Sequence, residues 1–383
     1  MERNYSIDFI KFFAIFAVVA IHSGTLSGVQ IGAINGDDVD FVIDTFARFA
    51  VPFFFVASGY LFVQKVNSLE ARSKIEGYSN KQITKQQLAY FKRYILKLAK
   101  LYFAWFIFYF LFQLGVNFIE TEKTVRALTA MFMDYLVSFH IWDIFYYGSG
   151  SPQYHLWFLL ALIWATIILF IFVKTKMLPI LLVISLGLNI YGLFGQSYSS
   201  IYEVTINTRD ALFFGLFYIA LGGVLGKYVR QVKAAAIKIP IFLYVGLLSV
   251  FTLTQIVEGY LTLKVFDGNA ENYYLSTIPF TIILFMMIIK YSQIGKKSMI
   301  AKIGANAVGI YVAHVFLLKL FPIILQRLGI ANIQETLTWN IIFTPLVLIL
   351  AYLLYFGLQW SKKRIVELYN KERKIDKEKF GYN

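Results

Sequence analysis

The sequence predicts an all-α polytopic integral membrane protein with about ten transmembrane helices and both termini cytoplasmic, and three observations carry that prediction. Apolar runs of about 20 residues, the length that crosses a bilayer as helix, recur from one end of the 383-residue chain to the other. Hydrophobic residues make up 58% of the chain and charged residues 15%, where a soluble domain is about a quarter charged. Lysine and arginine, finally, are sorted between alternate loops.

The runs fall at 7–26, 43–63, 98–119, 155–173, 177–194, 209–226, 239–258, 273–290, 303–322 and 339–360. The first is no signal peptide, because it lacks a small-residue cleavage site and contains Lys11 and His22. The second holds Pro52 and the step Ser58-Gly59, which are expected to loosen the helix and let a neighbour come close. The connection from Gln64 to Lys97 is polar and basic, and helix-compatible from Lys81 onward. Between the third and fourth runs, residues 120–154 carry an amphipathic, aromatic middle from Ala127 to Tyr147. That segment reads either as interfacial or as re-entrant, and stays outside the span count. The run Gly148 to Pro152 after it is a flexible entry to the fourth span. The expected organisation is one transmembrane domain over 1–360 and a basic cytoplasmic tail over 361–383, with no internal repeat.

The net charge of +14 would suit nucleic acid, but its distribution points to orientation instead. With a cytoplasmic N-terminus, the inward segments hold 26 lysines and arginines, eight of them between Lys362 and Lys379. The outward loops hold four, Lys123, Arg126, Lys264 and Arg327, and the first of these loops carries Asp37, Asp38 and Asp40. The positive-inside rule asks for this asymmetry, and no nucleic-acid partner is expected. The absence of cysteine excludes disulfides, thiol nucleophiles and thiolate-bound metals, and no metal is expected.

Topology assigns each intramembrane polar residue a depth. His22, Arg48, His155, Arg209, Asp210 and His314 share the outer half; Lys11, Lys100 and Lys290 lie toward the inner side, with Arg93 and Lys97 just below. Ionisable groups inside a membrane are costly and mark function by default. Lys11 and His22 are eleven residues apart on one helix, about 16 Å along its axis. One reading is a channel whose basic inner mouth takes an anionic phosphate-bearing ligand such as coenzyme A, and whose outer imidazole takes a proton from a hydroxyl. Plainer readings stand beside it. Lys100 and Lys290 can snorkel to the headgroups, Arg209-Asp210 can be a neutralised interfacial pair, and His155 beside Trp157 can be an interfacial anchor. For His22 the plain reading is a hydrogen bond between helices. Ser58 has no acid or base beside it and reads as a packing residue, and His140 as incidental.

The series Asp8-x-x-Lys11 with His22, Arg48-Phe-Ala-Val-Pro52 to Ser58-Gly59-Tyr60, Arg93 to Lys97 with Leu101-Tyr102, His155-Leu-Trp-Phe-Leu, Asn207-Thr-Arg209-Asp-Ala-Leu-Phe-Phe-Gly215 and Ile303-Gly304-x-Asn306-x-x-Gly309-Ile-Tyr311-x-x-His314 resembles the membrane-bound acyltransferase-3 family over nearly the whole chain. The resemblance implies a bacterial cytoplasmic-membrane enzyme that moves an acyl group, expected to be acetyl, from cytoplasmic acyl-CoA to a hydroxyl of an extracytoplasmic acceptor. Such acceptors are cell-surface polysaccharides or other cell-envelope glycans. It implies His22 as the catalytic base or acyl carrier, with Arg48, Arg209, Tyr311 and His314 around it. Lys11, Arg93, Lys97 and Lys100 would then bind the acetyl-CoA phosphates. Lys11 is a departure, because the family pattern has an arginine there and lysine lacks the planar fork that binds phosphate bidentately. Many members append a soluble hydrolase-like domain; here transfer is expected to finish in the membrane or on a polysaccharide-synthesis partner protein. Two rivals remain: a transporter or flippase for a surface glycan or lipid-linked precursor, with the histidines as proton relays, and an inactive scaffold. The aromatic residues near the outer face, Trp142, Tyr146, Tyr147, Tyr154, Trp157, Tyr198 and Tyr202, suit either sugar stacking or an interfacial belt.

Overall fold

The computed structural model describes residues 3–148, 150, 153–268 and 273–380, the stretch from 370 onward by its backbone alone. The fold is almost wholly helical: α1 (Tyr5–Ser23), α2 (Gly36–Ala47), α3 (Ala50–Ile75), α4 (Asn80–Glu120), α5 (Val125–Val137), α6 (Trp157–Lys174), α7 (Leu178–Phe194), α8 (Leu216–Lys227), α9 (Val229–Lys238), α10 (Ile241–Tyr260), α11 (Thr277–Lys290), α12 (Met299–Gly304), α13 (Ala307–Arg327) and α14 (Leu337–Phe380). A hairpin of β1 (Gln30–Ile31) and β2 (Ile34–Asn35), antiparallel with Gln30 opposite Asn35, is the one sheet among the described residues.

Among the described residues seven helices are long and apolar enough to cross a bilayer: those over Tyr5–Ser23, Gly36–Ile75, Asn80–Glu120, Tyr154–Lys174, Ile241–Val265, Ala307–Arg327 and Leu337–Tyr369. The pair Ala211–Lys227 and Val229–Lys238 qualifies as an eighth only if taken together, and it bends by 86°. The other two apolar runs form Leu178–Phe194 and Thr277–Lys290. At 17 and 14 residues these extend about 26 and 21 Å, short of the roughly 30 Å hydrocarbon core. The protein is therefore an all-α, multi-pass membrane protein whose helices follow the apolar runs of the sequence, with seven of them meeting the full length for a span.

The second apolar run is not one helix. It breaks at Arg48-Phe49, where Arg48 caps the end of α2 through a backbone bond to the Thr45 carbonyl. The break falls four residues before Pro52, whose ring has no N–H for the Arg48 carbonyl and would crowd it in a continuous helix; Pro52 itself then lies in the first turn of α3. Ser58 and Gly59 stay helical; the Ser58 hydroxyl donates to the Phe54 carbonyl at 2.7 Å. Gly59 lies against the Ile219 carbonyl and Gly222 against the Val56 carbonyl, each so close that a Cβ would overlap the opposite backbone. α3 and α8 thus meet backbone to backbone, the close approach that small residues allow between membrane helices.

The connection between α4 and α6 folds back into the bundle. The Tyr102 hydroxyl donates to the Ile144 carbonyl at 2.7 Å, and the Trp164 indole donates to that of Phe145 at 2.8 Å. Trp164 stands seven residues inside α6, about 10 Å along its axis. The π-helical turn Asp143–Tyr147 is therefore packed against the flanks of α4 and α6. It ends at Gly148, whose φ of 66° suits glycine and whose missing Cβ leaves room for the Trp157 backbone. Ser149, Ser151 and Pro152 of the expected flexible entry lie outside the described residues. α6 consequently starts deep: His155 meets Tyr109 of α4 edge-on with ring centroids 5.1 Å apart. Tyr109 is eleven residues from the end of α4, about 16 Å below it. At the other end of the chain α14 runs without interruption through 44 residues, so the segment beyond 360 continues the last apolar helix.

Candidate active site

His22 lies in the last turn of α1, which Gly24 closes in the left-handed conformation that glycine tolerates. Arg48 comes from the break between α2 and α3, and His155 from the 3₁₀ turn Tyr154–Leu156 that opens α6. Arg209 precedes the π-helical turn Ala211–Gly215, and Tyr311 faces inward from α13. These five side chains line one small cavity of about 30 Å³, walled on its apolar sides by Val18, Trp157, Phe158 and Phe214. That is room for a water or two.

The imidazoles form an array. His22 stacks on His314 with centroids 5.3 Å apart and ring planes 27° from parallel. His314 in turn meets His155 at 5.5 Å and 78°. The His314 Nδ1 lies 2.6 Å from the Tyr311 carbonyl. A carbonyl only accepts, so Nδ1 carries the proton and Nε2 keeps its lone pair. That Nε2, both ring nitrogens of His155 and the Tyr311 hydroxyl are buried without a hydrogen-bond partner among the described residues. Unsatisfied polar atoms converging in a buried place are the mark of a site that awaits a polar group. His22 itself is held through Nδ1 by the Tyr154 hydroxyl at 3.0 Å.

The two arginines are not equivalent. Arg48 makes an ion pair with Asp44, through Nε at 3.1 Å and through a second guanidinium nitrogen. Arg209 has no carboxylate partner among the described residues; its guanidinium lies over the Trp157 ring, 4.7 Å from the centroid. The neutralised Arg209–Asp210 pair, the plainer of the two readings, is not among the ion pairs of the described residues. Asp210 accepts from the Tyr146 hydroxyl at 2.7 Å and from the Phe213 N–H at 2.8 Å, as the N-cap of the turn that follows. With two guanidiniums against one carboxylate, the cavity favours negative charge.

His22, Arg48, Arg209, Tyr311 and His314, predicted from separate helices, are thus brought together. The donor-binding set is not. Lys11 reaches Asp8 at 3.3 Å, and Asp8 also takes Arg3 at 2.7 Å. Eleven helical steps turn about 20° beyond three full turns, so Lys11 lies under His22 on nearly the same face of α1. Arg93, Lys97 and Lys100 are exposed along α4, and no ion pair or hydrogen bond joins them among the described residues. Three of the aromatic residues assigned to the outer face turn inward: Tyr154 onto His22, Trp157 under Arg209 and Tyr146 onto Asp210. Asp44 had a legible signal, a carboxylate four residues before an arginine on one helix face. No residue pattern marked Tyr109, whose role depends on contacts across the fold.

A family model described as an acyltransferase domain matches residues 4–356. An amino-acid racemase of Enterococcus faecalis is 25% identical over 305 residues, which are 76% of this chain and 38% of that protein. The chain therefore spans well under half the length of that curated relative. No solved structure matches.

Proposed function

Since the chain belongs to the acyltransferase-3 family and is a multi-pass membrane acyltransferase, we propose that it moves an acetyl group from cytoplasmic acetyl-CoA to a hydroxyl of an extracytoplasmic cell-envelope glycan. The setting is the bacterial cytoplasmic membrane. The chain crosses it ten times as one domain over 1–360, with both termini and the basic tail inside, in keeping with the 26-to-four division of cations.

The observation that carries the reading is His22 in a buried cavity with two guanidiniums and one carboxylate. In the proposed step the acceptor hydroxyl gives its proton to the free nitrogen of His22 while its oxygen attacks the thioester carbonyl. The carbonyl oxygen, now an anion, is met by Arg209 and by Tyr311 or Arg48. The C–S bond then breaks, and the coenzyme thiolate leaves with the proton that His22 held. In a two-step route the His22 nitrogen attacks the thioester and the coenzyme leaves as thiolate; the acceptor oxygen then takes the acetyl group from the imidazole, and its proton goes to the thiolate. Lys11, Arg93, Lys97 and Lys100 supply the positive end from which the donor phosphates are drawn in. A polysaccharide-synthesis protein is the expected source of the acceptor.

Inverted vesicles, which present the cytoplasmic face, test the reading with acetyl-labelled coenzyme A. Label should enter a membrane or lumenal product with the wild type and not with His22→Ala. Equal transfer by both proteins would remove His22 from the mechanism. No transfer by either, with normal expression and native acceptor present, would favour a transporter that uses the same histidines as a proton relay.

A further inference from the structure

The α13 turn that carries His314 is entered by a side chain from another helix. Tyr109, fully buried in α4, donates its hydroxyl to the Val312 carbonyl at 2.8 Å and accepts from the Phe316 N–H at 3.0 Å. Val312 and Phe316 are the i and i+4 partners that an uninterrupted helix would bond to each other. A side chain inserted at that point of the ladder bends or rotates the turn. His314 sits midway between the two, with Nδ1–H turned back onto the Tyr311 carbonyl. The Tyr109 ring also packs edge-on against His155. One phenol therefore touches the His155 ring and enters the backbone turn that carries His314.

We propose that Tyr109 is a positioning residue, whose hydroxyl, spliced into α13, sets the rotation of the turn Val312–Phe316 and thereby the aim of the His314 Nε2 toward the His22 stack. It does not line the cavity and does not touch the reacting atoms. Its effect on turnover rests on the acyltransferase reading above; its effect on His314 does not. Removing the hydroxyl leaves Val312 and Phe316 free to bond each other, so no buried backbone group is orphaned and the fold survives. What changes is geometry, and a displacement on the order of 1 Å at a catalytic group costs up to about a hundredfold in rate.

The test uses the full-length protein in lipid. With tyrosine labelled at Cζ and phenylalanine labelled at the amide nitrogen, solid-state NMR of the wild type should show one close tyrosine–phenylalanine pair that Phe316→Leu removes. Its absence would overturn the proposal without any tyrosine variant. In Tyr109→Phe the His314 imidazole resonances, assigned through His314→Gln, should move, and kcat should fall about tenfold with the donor KM within about twofold of wild type. Unmoved His314 resonances in a folded Tyr109→Phe protein would overturn it too. If the wild type transfers no acyl group at all, the acyltransferase reading fails while the resonances still decide the role of Tyr109.

Discussion

The two ends of this bundle hold positive charge in opposite ways. At the histidine end there are two guanidiniums, Arg48 and Arg209, both facing one small, largely enclosed cavity, one matched by Asp44 and the other resting on an indole. At the other end the cations are many, long and exposed: Arg93, Lys97 and Lys100 point out along α4, and Lys11 shares Asp8 with Arg3. A buried charge acts strongly on whatever shares its cavity, because little solvent stands between them. Exposed charges act weakly one by one, are screened by salt, and work as a crowd. The difference teaches where chemistry can be sought, at the sparse end, and where orientation and attraction belong, at the crowded one.

Four measurements break or sharpen that contrast. His22→Ala should abolish transfer, by about a thousandfold in kcat if the imidazole is the general base, with unchanged abundance in the membrane; a loss under tenfold would move the chemistry away from the cavity. Arg48→Ala strands the Asp44 carboxylate, whose side chain is 13% exposed, and should cost about 3–5 kcal/mol of stability. The double variant Asp44→Asn with Arg48→Gln should recover most of it in thermal unfolding, and a double no more stable than the single would deny that the pair is internally matched. Arg209→Gln has no carboxylate to strand, so it should spare the unfolding temperature and lower kcat about a hundredfold through the lost oxyanion contact. A fall in stability without a fall in kcat would reverse that assignment. The smallest effect is expected at the far end: Arg93→Gln with Lys97→Gln should raise the donor KM about threefold at low salt and negligibly at high salt. A salt-independent rise of thirtyfold or more would mean that these cations close on the ligand, and the contrast between the two ends would fail.

The sequence made the heights of residues legible, and not their angles. Apolar runs and cation sorting place His22, Arg48, Arg209, Tyr311 and His314 in one half of the membrane, and in the fold they meet there. Height alone leaves open which way a side chain points. His155 therefore read equally well as an interfacial anchor, until α6 proved to start at the depth of Tyr109. The turn Asp143–Tyr147 had the composition of an interfacial helix, and composition does not show that its Ile144 and Phe145 carbonyls would be met by Tyr102 and Trp164 from other helices. Pro52 was a truthful signal: the second run is interrupted at Arg48, four residues before it, and a new helix starts at Ala50. The inner set failed to converge because like charges on a solvated helix have no reason to meet.

Gly59 and Gly222 have a mechanical consequence. Where two helices touch through side chains, they can slip by a turn and find new interdigitations, and rocking machines are built on that freedom. Here each backbone is keyed into the other at two places by carbonyls of Ile219 and Val56, with no intervening layer to rearrange. The α3–α8 pair is a keel. In the proposed reaction, donor and acceptor would reach His22 between the surrounding helices, while the keel holds its shape.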